Sequence, residues 1–245
     1  MKIALEAIGF ITNDIQYNKN KIINAIQDNK GKADLIVFGE TFLQGFECLS
    51  WKFDEDKEIA LQQSNDIIIK IQRMAKENHV AVSFGYIEKC DGKLYSSQIT
   101  IDNDGKVISN FRRVSAGWKE EIADCNYCEG KEFSKFSLFG KSFAVGLCGD
   151  LWYPENCVSI AKLNADIILW PVYTDFNYKE WNTTIKYEYA EQAAKIGGIV
   201  LYVNSCCLDE EADEIARGGA VLFQNGKIMA ETSAGEESVL YVEIE

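Results

Sequence analysis

Short runs of consecutive apolar residues recur along the chain: KIALEAIGF (2–10), DLIVFGE (34–40), VAVSFGY (80–86), SFAVGLCGD (142–150), DIILWPVY (166–173) and IVLYVNS (199–205). A strand with one face in water alternates apolar and polar residues, so a run that is apolar on neighbouring positions must bury both faces. Between these runs lie stretches with helical spacing. Ile15, Ile22, Ile23 and Ile26 make one apolar face, and Ile59, Ile67, Ile68 and Ile71 contribute to another. A third runs through Ile160, Ala161 and Leu163, and a fourth from Tyr187 to Ala194. Two hairpins are legible as well, one turning at Asp104-Gly105 and one at Asn225-Gly226, the latter a strong type I′ signal. This mixture predicts an α/β protein with mixed sheets and helices on the outside.

No Ser/Gly-rich or charged tract interrupts the 245 residues, and prolines occur only at 154 and 171, so a single domain over 1–245 is expected. The 25 Lys and Arg against 38 Asp and Glu give a net charge of −13. That balance argues against nucleic acid and against an anionic membrane, because a phosphate-binding surface needs clustered cations. The N-terminal segment carries Glu6 and Asp14 and is too acidic for a signal peptide, and no run reaches the roughly 18 apolar residues of a membrane helix. A cytoplasmic protein is the expectation.

The eight cysteines are scattered without framework spacing, and the single histidine, His79, falls where a helical pattern gives way to a strand. Histidine-based catalysis and histidine-rich metal sites are therefore disfavoured. Neither a metal nor an organic cofactor is expected.

Three segments place reactive side chains at strand ends, where α/β folds gather their sites. Glu40 follows LIVFG among Phe42, Leu43 and Phe46, a setting that raises a carboxyl pKa; a strand-ending charge in water is the competing reading and, for this segment alone, the commoner one. Cys148 has Gly146 before it and Gly149 after it, which permits a sharp turn and leaves the Gly149 and Asp150 N–H groups for an oxyanion; a merely packed thiol is the alternative. NFRRVSAGWKEE brings together Arg112, Arg113, Lys119, Glu120 and Glu121, and a cation there would lower a thiol pKa or hold a developing negative charge; a solvated loop is the alternative. Cys125-x-x-Cys128 lacks a second ligand pair for zinc, Cys206-Cys207 reads as strand-end packing, and Arg217-Gly218-Gly219 lacks a nucleotide-binding frame.

Together these segments resemble the nitrilase, or carbon–nitrogen hydrolase, superfamily in its amidase-like branch. CGDLWYPE (148–155) is similar to the Cys-x-Asp-x-x-[Phe/Tyr]-Pro-Glu nucleophile signature, FGETFLQGF (38–46) to the segment of the general-base glutamate, and LYSSQITIDNDGKVISNFRR (94–113) to the hairpin leading into the family's catalytic lysine. NADIILWPVY, YAEQ (189–192) and the final hairpin continue the likeness over nearly the whole chain. The resemblance implies an αββα sandwich of two mixed β-sheets with helices on the outer faces. It implies catalytic roles for Glu40, Cys148, an auxiliary Glu121 and a cation at 113. This sequence has Arg113 where the family has lysine, and Lys119 is the alternative cation. Trp118, Gly149, Trp152 and Tyr173 are the implied substrate-binding residues, the substrate being a small amide rather than a nitrile, since Cys-Gly-Asp differs from the Cys-Trp-Glu of nitrilases. A homodimer or higher homo-oligomer, joined through the helix holding Val158, Ile160, Ala161 and Leu163, is implied too. Two other readings stand beside it: a catalytically impaired binding protein, on account of Arg113, and a thiol-redox protein using Cys125 and Cys128.

Overall fold

The computed structural model describes residues 1–209 and 215–245. The chain opens with β1 (Lys2–Ala7), β2 (Gly9–Phe10), helix α1 (Ile15–Asp28) and β3 (Leu35–Phe38). Helices α2 (Phe53–Ile59) and α3 (Asp66–Asn78) precede a meander of β4 (Ala81–Cys90), β5 (Lys93–Ile101) and β6 (Val107–Arg112). Next come β7 (Lys135–Leu138), β8 (Lys141–Val145), α4 (Pro154–Lys162) and β9 (Ile167–Val172). The short α5 (Tyr178–Glu180) leads through a π-helical turn into α6 (Lys186–Ile196), followed by β10 (Ile199–Asn204), β11 (Cys206–Cys207), β12 (Ala220–Gln224), β13 (Lys227–Thr232) and β14 (Ser238–Glu243).

Two six-stranded sheets form, in the orders β14-β1-β3-β4-β5-β6 and β13-β12-β10-β9-β8-β7. Their centres are parallel, β1 with β3 and β4 in one and β8 with β9 and β10 in the other, while the edges are antiparallel. Strand periodicity then sorts the side chains into layers. Ile3, Leu5, Leu35 and Val37 face Phe143, Val145, Ile167 and Leu169 between the sheets. Their neighbours Ala4, Ile36 and Phe38 turn outward onto Ile22 and Ile26 of α1 and Ile68 and Ile71 of α3. On the far side Ile168, Trp170, Val200 and Tyr202 meet Ile160 of α4 and Ala190, Ala193 and Ile196 of α6. This is the αββα sandwich, and it explains why the strand sequences are apolar at successive positions.

The two hairpin turns lie where expected. Asn225 and Gly226 both hold positive φ, 49° and 76°, as a type I′ turn requires. His79 caps α3 in the left-handed region and stands exposed. Among the described residues no helix is long and apolar enough to cross a membrane, and no group of three or more His, Cys, Asp or Glu is arranged to hold a metal ion.

Candidate active site

The parallel strands of both sheets end on one side, and their ends are stitched together there. The Glu40 N–H, just past β3, donates to the Val172 carbonyl at the end of β9, 3.1 Å away. That bond brings Glu40 of one sheet beside the loop that follows β8 in the other.

Cys148 opens a 3-10 turn (Cys148–Trp152) with φ at +45°, in the left-handed region that non-glycine residues seldom occupy. The turn is held from several directions. The Trp170 indole N–H donates to the Cys148 carbonyl at 2.9 Å, and the Cys148 thiol donates to the Tyr173 carbonyl at 3.5 Å. Thr41, directly after Glu40, also has positive φ, 46°. Strained backbone at two neighbouring strand ends is characteristic of sites where geometry serves chemistry.

Glu40 is fully buried. The expectation of an apolar setting is corrected here: Phe42 and Leu43 pack into the core, while the groups that touch the carboxylate are polar. Its Oε1 accepts from the Ser96 hydroxyl at 2.8 Å and from Arg113 Nη1 at 3.0 Å, and Nη1 also reaches Oε2 at 3.3 Å. Oε1 thus carries two short bonds and Oε2 one long one, which leaves Oε2 the less engaged oxygen. Ser96 also accepts the Arg113 N–H on its own carbonyl, so one residue of β5 orients both charged groups.

Arg112 and Arg113 part ways because successive residues of a strand face opposite sides. Arg112 lies over the Tyr95 ring and pairs with Glu88 through Nε and Nη2, at 2.7 and 2.9 Å. Arg113 is 4 % exposed and turns to the Cys148 side, with Nε on the Ser115 hydroxyl at 3.0 Å. Its Nη2 has no hydrogen-bond partner among the described residues and lies over the Cα of Gly149, where an added Cβ would come within 2.5 Å of it. Gly149 is therefore required by the guanidinium that covers it. Lys119 is engaged elsewhere, with Glu129 and with the Tyr127 carbonyl.

Sequence reasoning put a thiol of lowered pKa beside a cation. The Cys148 thiol is instead pushed up to about 12, first by burial and then by the negative charge of Glu40, which together outweigh Arg113. The resting residue is a thiol, and it needs a base to become a nucleophile. The Asp150 N–H is taken by the Leu147 carbonyl and is not available to an oxyanion, whereas no described residue accepts the Gly149 N–H.

The other expected residues fall in different places. Tyr173 is buried and stacks on Phe46 with centroids 4.6 Å apart. Trp118 is buried against Trp51 and Tyr127, and the adjacent Gly117 lies near Arg113 Nη2. Trp152 is 41 % exposed and packs edge-on against Tyr189. Glu121 is exposed in a turn and makes no hydrogen bond or ion pair with Glu40, Arg113 or Cys148. Ser96 and Ser115 were not foreseen as site residues, and Asp150 was foreseen only for its N–H and not for its carboxylate; the one local signal for Ser96 was a polar Ser-Ser-Gln in the middle of β5.

The carbon-nitrogen hydrolase family model matches residues 2–245. The chain belongs to that family. Carbon-nitrogen hydrolases similar to it include an (R)-stereoselective amidase of Pseudomonas sp, 24% identical over 99% of this chain and 84% of the relative. An N-carbamoylputrescine amidase of Oryza sativa subsp. japonica is 24% identical over 69% of this chain and 58% of its own length. Among solved structures, a mutant of the Nesterenkonia AN1 amidase from the nitrilase superfamily superposes with a TM-score of 0.81 at 18% identity, covering 100% of this chain and 90% of that one. The likeness in fold thus extends over the whole carbon-nitrogen hydrolase sandwich.

Proposed function

We propose that this carbon-nitrogen hydrolase cleaves a small linear amide through a thioester on Cys148. The observation that carries the reading is the meeting of a protonated thiol, a buried carboxylate with one lightly engaged oxygen, and a guanidinium with an unengaged Nη2. Glu40 Oε2 takes the thiol proton as sulfur attacks the carbonyl carbon. The tetrahedral oxyanion is met by Arg113 Nη2 and the Gly149 N–H. The C–N bond then breaks, Glu40 returns its proton to the departing amine, and the acyl group stays on sulfur. A water, deprotonated by Glu40, attacks the thioester; the acid leaves and the thiol regains its proton. Tyr173 supports this reading by offering the carbonyl that orients the thiol, and the exposed Glu121 has no assigned step.

Ammonia release from a panel of small linear amides tests the proposal. The wild type is expected to release ammonia and acid in equal amounts, with Cys148→Ala inactive. Failure of every amide would favour the impaired, binding-only reading, to which the Arg113–Glu40 ion pair lends support because it already engages the carboxylate.

Self-association and a cytoplasmic location belong to the same proposal. Val158 stands exposed on α4 next to exposed Trp152 and Tyr153, and these would meet a second copy. Ile160, expected on that face, is fully buried in the chain's own core. Light scattering at micromolar concentration that found only a 27.6 kDa species would contradict association.

A further inference from the structure

Asp150 is the third residue of the Cys-Gly-Asp turn, and its carboxylate is wholly buried. It accepts three backbone N–H groups from two separate segments. Oδ2 takes the N–H of Leu147, the residue before the nucleophile, at 3.0 Å. Oδ1 takes those of Val114 at 3.1 Å and Ser115 at 2.7 Å, the two residues after Arg113. The segment after Arg113 lies beyond the end of β6, and the turn lies beyond the end of β8, in the other sheet. One carboxylate therefore bridges the end of each sheet at the point where the two halves of the site must meet.

We propose that Asp150 is a positioning residue, which sets the Arg113 guanidinium against the Cys148 thiol by clamping the backbone beside each. This rests on the roles given to Cys148 and Arg113 above. Two features make the clamp exacting. Cys148 sits at positive φ, so the turn needs an external restraint to hold it. Arg113 Nη2 also stands over Gly149 with no room for a methyl group, so a small slip of either segment changes the separation of cation and thiol. Misplacement of reacting groups by about 1 Å typically costs on the order of 10²-fold in rate.

The clamp is also sensitive to protonation. Burial holds the Asp150 carboxyl at about 6, against the opposing hydrogen bonds from Ser115 and the charge of Arg113. The charged group facing it from the neighbouring segment is Arg113, which is itself paired with Glu40; Cys148 is the titratable group on its own turn. A carboxyl at about 6 lies above the ordinary aspartate value of 3.8, so the fold gains stability as pH falls from about 6 to 4. A protonated Asp150 nevertheless gives up part of its acceptor capacity, and the clamp loosens. Turnover and stability should therefore move in opposite directions through this group as pH falls.

The test compares wild type with Asp150→Asn on one amide. Asparagine keeps an acceptor for one segment and turns a donor toward the other, so half the clamp is lost. The expected result is a folded variant, by circular dichroism, with kcat reduced about 10- to 100-fold and KM within about threefold. The wild-type kcat should fall on the acid side with a midpoint near 6, and this limb should be absent from the variant. Turnover within about twofold of wild type, a loss that follows the unfolded fraction, or an unchanged acid limb would each overturn the proposal. If the variant does not fold, the wild type decides. Turnover falling through pH 6 with near-ultraviolet dichroism unchanged supports the clamp, and constant turnover down to pH 5 overturns it. Cys148→Ala is assayed alongside. Activity surviving there overturns both this proposal and the function it rests on, whereas an inactive Cys148→Ala with an unaffected Asp150→Asn overturns the clamp alone.

Discussion

Arg113 donates through a single nitrogen, Nη1, to both carboxylate oxygens of Glu40, at 3.0 and 3.3 Å, while its Nη2 remains turned toward Gly149. A lysine ammonium at this position would offer one nitrogen for both tasks. The guanidinium divides them, one edge on the Glu40 carboxylate and, in the proposed mechanism, the other left for the substrate. Loss of a preorganised oxyanion donor costs about 10²–10³-fold in turnover, and Arg113→Ala is expected to show at least that. It also leaves Glu40 as an uncompensated buried charge, a change that typically destabilises by about 3–5 kcal/mol. Lys119→Ala, which breaks a partly exposed pair with Glu129, should alter stability by less than about 1 kcal/mol and turnover little. Steady-state kinetics and urea unfolding of the two variants check this, and the reverse ranking would move the cationic role to Lys119.

Gly149→Ala should be folded yet slow. Its Cβ would press on Arg113 Nη2, and the guanidinium can yield only by leaving the Glu40 carboxylate or the Ser115 hydroxyl. A drop in kcat of about 10²-fold is expected. Wild-type kinetics in this variant would show that the guanidinium moves freely and plays no positioned role.

A second buried carboxyl controls stability without touching the site. Glu6 in β1 accepts from Asn29 Nδ2 at 2.8 Å, and the Asn29 Oδ1 beside it has no partner. Burial raises the Glu6 carboxyl to about 7, and Asp28 adds to the effect. A neutral carboxyl can donate to that empty acceptor, closing a two-bond ring with the amide. Because the Glu6 carboxyl lies above the ordinary glutamate value of 4.5, the folded chain binds the extra proton and stability falls as pH rises between about 4.5 and 7. Denaturant unfolding at pH 5.5 and 8.5 should differ by about 2 kcal/mol from this group, roughly 1.5 pH units at about 1.36 kcal/mol each. Glu6→Gln, which keeps both bonds without titrating, should remove that part of the difference. An unchanged pH dependence in Glu6→Gln would contradict it.

Much of the sandwich was legible because burial on both faces leaves a mark in one dimension: a strand apolar at successive residues has nowhere else to go. Glu40 and Cys148 stood out for the same reason, as polar residues terminating such runs. Periodicity alone could not tell Arg112 from Arg113, since which face of β6 looks toward Cys148 depends on the other sheet. Ser96, Ser115 and Asp150 act through contacts far apart in sequence, Ser96 being 56 residues from Glu40 and Asp150 being 35 from Ser115. Glu121 was placed by its spacing from Arg113, but spacing does not fix the path of an irregular loop. Here that path follows other contacts, the Lys119–Glu129 pair and the bond from the Tyr127 hydroxyl to Asp56. The thiol pKa was misjudged because burial and the charge of Glu40 are properties of the assembled site, invisible next to Cys148 in the chain.

The central claim is an acyl group carried on Cys148, and trapping with hydroxylamine tests it most directly. With a hydrolysable small amide, the wild type in hydroxylamine should form the hydroxamate at the expense of the free acid. Acid-quenched samples should show the Cys148 peptide heavier by the acyl mass, and Cys148→Ala should give neither product. Hydrolysis that yields no hydroxamate and leaves the Cys148 peptide unmodified, or hydroxamate formation that persists in Cys148→Ala, would contradict the account.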